Sequence, residues 1–261
     1  MLSEKSFSDR GYLFCAEMNG LGIKNCFTMK TGGVSTGKIE GLNLGFRVND
    51  EEASVLENYR LVAHDLELDF NSIVTSKQTH SDNIRIIKNE DRGKGVTKIS
   101  DIEDTDGLIT SEKNLPLVVF SADCYPVLLA DKEKKAVGAV HSGWRGTVSG
   151  ISGKAAKVMI EEFDVKPENI IAAIGPGIGR CCFETEIDVA SKFEKCYVRK
   201  KGKEKFLIDL PEVIKKSLIK SGVKEENIFF ADRCTVCESD KFYSYRVQKE
   251  KTGRMGAFIS L

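Results

Sequence analysis

The stretch Tyr125–His141, YPVLLADKEKKAVGAVH, limits the possible folds of this chain more than any other. Two apolar, β-rich runs, Tyr125–Asp131 and Ala136–His141, flank the charged turn Lys132-Glu133-Lys134-Lys135. Runs of that kind around a four-residue polar connection predict an antiparallel hairpin. With Asp131 paired to Ala136, His141 falls opposite Pro126, and Cys124 lies two residues beyond Pro126. Residues two apart on a strand share a face, so Cys124 and His141 share one face and one end of the hairpin. Strand spacing and rise put their Cα atoms roughly 8 Å apart. A slip of one residue would send them to opposite faces. Asp123, beside Cys124, points the other way on a regular strand and reads as a hydrogen-bonding anchor rather than a ligand.

Histidine is scarce: only His64, His80 and His141 occur, so any imidazole site draws on those three. The eight cysteines, at 15, 26, 124, 181, 182, 196, 234 and 237, sit in a 261-residue chain whose N-terminus, MLSEKSFSDRGYLF, has no apolar signal-like core. Reduced thiols and a cytoplasmic protein are therefore expected. No apolar run approaches a membrane span, and Lys+Arg and Asp+Glu balance at 39 each, which argues against nucleic acid or an anionic membrane as partner. A chain of this length can bury a substantial core, and no linker or internal repeat divides residues 1–261.

Residues 1–40 read as strands and turns, with a β-run at Ile23–Thr28 and a glycine turn at Thr31–Gly37. Ala53–Leu66 has helical spacing (Val55, Tyr59, Val62), Asp50 is a candidate N-cap, and His64 is an ordinary helix histidine. Ile73–Ser76, Asn83–Ile87 and Leu108–Thr110 read as strands, with His80 in the polar segment between the first two and residues 89–104 as a surface loop. Thr147–Phe163 reads as one helix. Ile170–Ile174 is a strand leading into GPGIGRCCFE, whose glycines lack the Gly-Lys-Ser/Thr ending of a phosphate loop and suit close backbone packing equally well. Helices are expected at Ile187–Phe193 and from Leu210 to about Ser221, with Lys200–Lys205 as a solvated hairpin tip. Cys234 and Cys237 form a lone C-x-x-C run without a second one to complete a zinc knuckle, and read as structural or incidental thiols.

Cys124, His141 and His80 offer one sulfur and two nitrogens. Three uses of that set remain open: a catalytic zinc site with a vacant fourth position, a Cys124 nucleophile with His141 as base, or a single copper of the His₂Cys type. A cluster of several copper ions would need many more imidazoles than three. Arg145 follows the strand end at the start of the helical segment, and it supplies a planar charged fork suited to an anion.

Lys77–Ser81, Asp106–Thr110 (DGLIT), Ala122–Asp131 (ADCYPVLLAD) and Ala139–Ile151 (AVHSGWRGTVSGI) resemble the family first labelled polyphenol oxidase or laccase-like. That family is now regarded as purine nucleoside phosphorylases and overlaps the peptidoglycan editing factor group. The likeness continues through IGPGIGRCCFE (Ile174–Glu184) and Phe242–Leu261 with its SYR and TGRM motifs, and upstream through TMKTGGVS and Leu42–Asp50, so it spans nearly the whole chain. It implies an α+β fold, a compact single-domain α/β sandwich with mixed β-sheets flanked by helices. It also implies a zinc-binding set at His80, Cys124 and His141. The implied activities are phosphorolysis of adenosine, inosine, guanosine and methylthioadenosine, together with adenosine deamination assigned to a zinc-acidified water. Arg47 and Arg145 are the phosphate-binding candidates. The chain departs from the family's pattern at Lys30 (usually Arg), at Arg47 (usually His) and at Asn49 (usually Gly). Rival readings are a cysteine or metal hydrolase acting on muropeptide precursors, a copper-dependent polyphenol oxidase, and a binding module in which zinc is only a structural clip.

Overall fold

In the computed structural model, which describes residues 2–261, the hairpin takes the expected register, with Pro126 opposite His141 and Val127 opposite Val140. Every residue of both its strands is buried, because both faces of their sheet are covered. Leu128, Ala130, Val137 and Ala139 face a core shared with a second sheet, while Val127, Leu129 and Val140 face a core shared with helices. Burial on two sides explains why Tyr125–Asp131 reads as a continuous apolar run instead of an alternating one.

In chain order the strands are β1 (Ser3–Phe7), β2 (Arg10–Phe14), β3 (Lys24–Thr28), β4 (Val74–Thr75) and β5 (Ile84–Ile86). Next come β6 (Gly107–Thr110), β7 (Leu117–Ser121), β8 (Tyr125–Asp131), β9 (Val137–Ser142) and β10 (Ile170–Ile174). The last are β11 (Glu184–Thr185), β12 (Val198–Lys201), β13 (Lys205–Ile208), β14 (Ile228–Phe230) and β15 (Met255–Ser260). One six-stranded sheet runs β1-β2-β3-β15-β7-β4, the other β14-β10-β8-β9-β6-β5, and β11-β13-β12 form a small third sheet. Both large sheets are mixed: β4 is parallel to β7, β5 to β6 and β14 to β10, among antiparallel neighbours.

The two large sheets stack across one core, where Leu13, Phe27, Val119 and Ala257 of the first meet Leu108, Leu128, Ala139 and Ala173 of the second. Outside the first sheet lies the helix Glu52–Asp65, which packs Val55, Tyr59 and Val62 on Tyr12, Cys26, Val118 and Phe258. Outside the second lie the helices Ile151–Phe163 and Leu210–Lys220, presenting Ile151, Ala155, Met159, Ile214 and Leu218. The result is the expected α+β sandwich, layered helix, sheet, sheet, helix.

Three local expectations change. Thr147–Phe163 is not one helix: a short one, Trp144–Val148, ends before Gly150, whose φ of 75° breaks the path, and Val148 is exposed. Asp50 does not cap the helix that follows; Glu51 holds the N-cap position, and the Asp50 carboxylate accepts from Ser35 Oγ and Asn43 Nδ2 instead. The helix at Ile187 stops at Ala190. Leu117–Ser121, unremarked in the sequence, is an inner strand between β15 and β4. No described helix is long and apolar enough to cross a membrane.

The helix Glu52–Asp65 is tied to the first sheet through Asp65, whose carboxylate accepts from Arg10 Nε at 2.7 Å and from Tyr12 Oη at 2.6 Å. Burial raises the Asp65 pKa, but the Arg10 and Tyr12 hydrogen bonds outweigh it and hold the carboxyl below its ordinary range. The link's stability is therefore complete above the unfolded value of about 4 and is lost as pH falls through the lower folded value. Asp65→Ala strands a charge and a hydroxyl, and should lower unfolding free energy by about 3 kcal/mol in urea denaturation at pH 7.

Candidate active site

The chain crosses from the first sheet to the second twice, between β4 and β5 and between β7 and β8, and each crossing carries one site residue. His80 lies in the first crossing and Cys124 in the second, just before β8, while His141 stands near the end of β9. Their donor atoms lie within 4.8 Å of one another. Cys124 Sγ is 3.7 Å from His80 Nε2, and the two imidazoles meet edge to face with centroids 4.9 Å apart. A Cβ on Gly143 would sit 2.7 Å from His80 Cδ2 and 3.2 Å from Cys124 Sγ, so the three groups converge on space that only glycine leaves open.

Asp106 organises this meeting. It is fully buried just before β6, and its Oδ1 lies 2.7 Å from His141 Nδ1. The same carboxylate accepts the backbone N–H groups of Thr79, His80 and Ser81 and the Ser81 hydroxyl. His80 has a φ of 65°, a conformation that costs a non-glycine residue about 1 kcal/mol or more. Three consecutive amides held by one carboxylate keep it there. Donation from His141 Nδ1 to Asp106 leaves Nε2 as the nitrogen open to a metal once its proton is displaced, the tautomer a metal ligand needs.

Asp123 is likewise left-handed, at φ 88°, so it serves as an anchor through a kink and not through strand alternation. Its carboxylate accepts from Thr235 Oγ1 and from the backbone N–H of Arg246, both at 2.6 Å, and its carbonyl accepts from Ile178 N at 2.7 Å.

Burial alone would raise the Cys124 pKa, but the His141 charge and hydrogen bonds from both histidines win and lower it to about 6. Burial alone would lower the pKa of His141, which the Cys124 thiolate and Asp106 instead raise. Asp106 is held at about 2, because the His141 contact and the Thr79 and Ser81 donors outweigh its burial. One thiolate and two imidazoles, oriented by a buried carboxylate, fit a divalent ion of the zinc class with a fourth position left over.

The three donors line a cleft of about 910 Å³. Phe120, Ile178, Phe183 and Tyr245 give it apolar and aromatic walls, and the loop Gly95–Ser100, expected only as surface, forms another side. Arg47 lines this cleft together with Arg246 and Arg254. Arg145 does not: its exposed guanidinium lies 4.3 Å over the Trp144 ring. Among the described residues, Arg47, Arg246 and Arg254 form no ion pair with a carboxylate. Arg254 Nη1 is spent on the carbonyls of Thr252 and Gly253, and burial lowers the guanidinium's pKa. Lys30 is turned away and donates to the Ser239 carbonyl. His64 is solvent-exposed on its helix. Asp106, Arg246 and Arg254 were visible in the sequence only as letters of DGLIT, SYR and TGRM; nothing local marks their roles. Glycines 175 and 177 pack closely against Phe27 and Tyr125, where a Cβ would clash with either ring.

Asp106→Asn keeps the shape but removes the charge that orients His141. The site's affinity for a divalent metal, measured with added zinc by chelator competition, should fall by about 10–100-fold, with little change in the far-ultraviolet spectrum.

Residues 24–261 match the family described as multi-copper polyphenol oxidoreductase laccase. The Bacillus subtilis (strain 168) protein named Purine nucleoside phosphorylase YlmD is 36% identical over 242 residues, covering 90% of this chain and 87% of that relative. A protein named Adenosine deaminase RL5, from an unknown prokaryotic organism, is 32% identical over 225 residues, covering 82% and 84%. The crystal structure of Bacillus licheniformis hypothetical protein YfiH superposes with a TM-score of 0.93 at 33% identity, over 99% of this chain and 98% of that one. The chain belongs to the laccase-like family of multi-copper polyphenol oxidoreductases, among whose members are proteins named purine nucleoside phosphorylase and adenosine deaminase.

Proposed function

We propose that this chain is a zinc-binding purine nucleoside phosphorylase that also deaminates adenosine, with His80, Cys124 and His141 holding the metal. The observation that carries this reading is one cleft lined both by those three donors and by three arginines whose guanidinium groups, among the described residues, pair with no carboxylate. The names of the relatives agree with it. The description of the family as multi-copper fits the residues poorly, since the sequence has three histidines and His64 is exposed on a distant helix.

Each group has a task set by its chemistry. The apolar walls, Phe120, Ile178, Phe183 and Tyr245, suit the faces of a purine. Arg47, Arg246 and Arg254 supply planar forks for phosphate and offset its negative charge. In phosphorolysis a phosphate oxygen bonds to C1′ as the C1′–N9 bond breaks, and the purine leaves with the bonding pair and takes up a proton. A zinc ion in this site would supply Lewis acidity, bringing the pKa of nearby water towards neutrality. Asp106 keeps the His141 proton on Nδ1, and Gly143 keeps the space between the donors clear. Arg145 remains a phosphate candidate only if its stack on Trp144 opens.

The test is chromatography of adenosine, inosine, guanosine and methylthioadenosine incubated with and without phosphate, beside metal analysis. Free base plus ribose 1-phosphate, dependent on phosphate, is the expected result; inosine alone from adenosine would reduce the proposal to deamination. Turnover that survives metal removal, with an electrophile adduct on Cys124, would replace it with a cysteine hydrolase. Copper in stoichiometric amount with a thiolate charge-transfer colour would replace zinc with copper. Cys124→Ala should lose the cleft metal and deamination together. Arg254→Ala should raise the KM for phosphate, with kcat/KM falling on the order of 100-fold for loss of a charged hydrogen-bond donor to the ligand.

A further inference from the structure

A second group of donors stands outside the cleft. Cys181, Cys182, Cys234 and Cys237 bring their sulfurs within 4.8 Å of one another, and none of them lines the cleft. Cys237 Sγ is 3.6 Å from Cys181 Sγ and 3.5 Å from Cys182 Sγ. A disulfide requires about 2.05 Å. Four sulfurs at about 2.3 Å from a tetrahedral zinc stand about 3.8 Å apart, close to the separations found here. The lone C-x-x-C of the sequence is therefore completed by an adjacent pair of cysteines more than fifty residues upstream.

The backbone beside Cys234 already offers its sulfur a donor. Cys234 Sγ accepts the Gly179 N–H at 3.3 Å. A Cβ at Gly179 would come within 3.2 Å of Cys181 Sγ and of Cys234 Cβ, so the close approach of the two loops depends on that glycine. Amide donors to sulfur are the outer support that metal-bound thiolates need.

We propose that Cys181, Cys182, Cys234 and Cys237 form a second metal site, a closed four-thiolate centre that binds zinc structurally. Four protein sulfurs leave no position for water or substrate, which separates this site from the three-donor one. The two cysteine-bearing loops are also joined by the bridge of Gly177 to Cys234, in which Gly177 N–H donates to the Arg233 carbonyl and Thr235 N–H to the Gly177 carbonyl, and by the Gly179 N–H on Cys234 Sγ. Both loops also reach the active site. Thr235, between the two cysteines of the turn, holds the Asp123 carboxylate, and Ile178 N–H holds the Asp123 carbonyl. Asp123 precedes Cys124, and Ile178 and Phe183 are walls of the cleft. An ion at the four thiols thus clamps the pieces that position Cys124 and one wall of the pocket.

The experiment uses Cys124→Ala, which lacks a donor of the cleft site, so its outcome does not depend on the catalytic proposal. Purified under reducing conditions and freed of loosely held metal, this variant should retain one zinc per chain. Its cobalt-substituted form should show intense thiolate-to-cobalt charge transfer and the visible bands of a tetrahedral sulfur site. Cys237→Ser in the otherwise native chain should lose one zinc per chain. If that variant does not fold, Cys181→Ser, at an exposed position, should release its zinc to a chelator faster than the native chain. A Cys124→Ala protein that takes up no zinc, and whose thiols all react freely, overturns the proposal. So does an intact mass showing a metal-free disulfide, or iron with acid-labile sulfide in place of zinc.

Discussion

The buried carboxylate of Asp106 is the interaction on which the candidate site depends. It meets one imidazole and three consecutive amides at once, and by doing so fixes two of the three donors with a single charge. A carboxylate this deep is costly unless its lone pairs are filled, and here donors fill them from two segments. The same contacts that satisfy Asp106 determine the tautomer of His141 and the left-handed turn at His80. Stability and chemical competence are therefore one arrangement at this point, and not separate layers.

The location of the site follows from the architecture. Strands in a stacked pair of sheets must pass from one sheet to the other somewhere, and a crossing cannot continue either ladder. Its residues are released from strand alternation and can take unusual backbone angles, as His80 and Asp123 do. Two crossings emerge side by side, so residues more than forty positions apart in sequence bring a thiol and an imidazole within 4 Å. The strain at each is carried by rigid neighbours: Asp106 under one, and Thr235, Ile178 and Arg246 around the other.

The cysteines divide by environment in a way that composition hides. Cys15 and Cys26 are core side chains whose thiols burial pushes up, to about 12 in Cys15. Cys124 goes the other way because two histidines face it. The four at 181, 182, 234 and 237 share one small volume on two loops. Eight free thiols thus serve at least three physical situations, and a count or a spacing rule cannot separate them.

The sequence by itself determined the elements whose signal is local. The hairpin register at Pro126 and His141 could be read from two apolar runs and a turn length, as could the helix carrying Val55, Tyr59 and Val62 and the strand Ile170–Ile174. These succeed because side-chain period and turn chemistry act over a few residues. The break at Gly150, the inner strand at Leu117–Ser121 and the true helix cap at Glu51 were decided by packing, which overrides local pattern. Only the tertiary structure joined Asp106 to His141, turned Arg246 and Arg254 into the cleft while leaving Arg145 outside it, and gathered four thiols from two loops. Those meetings depend on how two sheets stack and where the chain crosses between them, and no short window of residues carries that information.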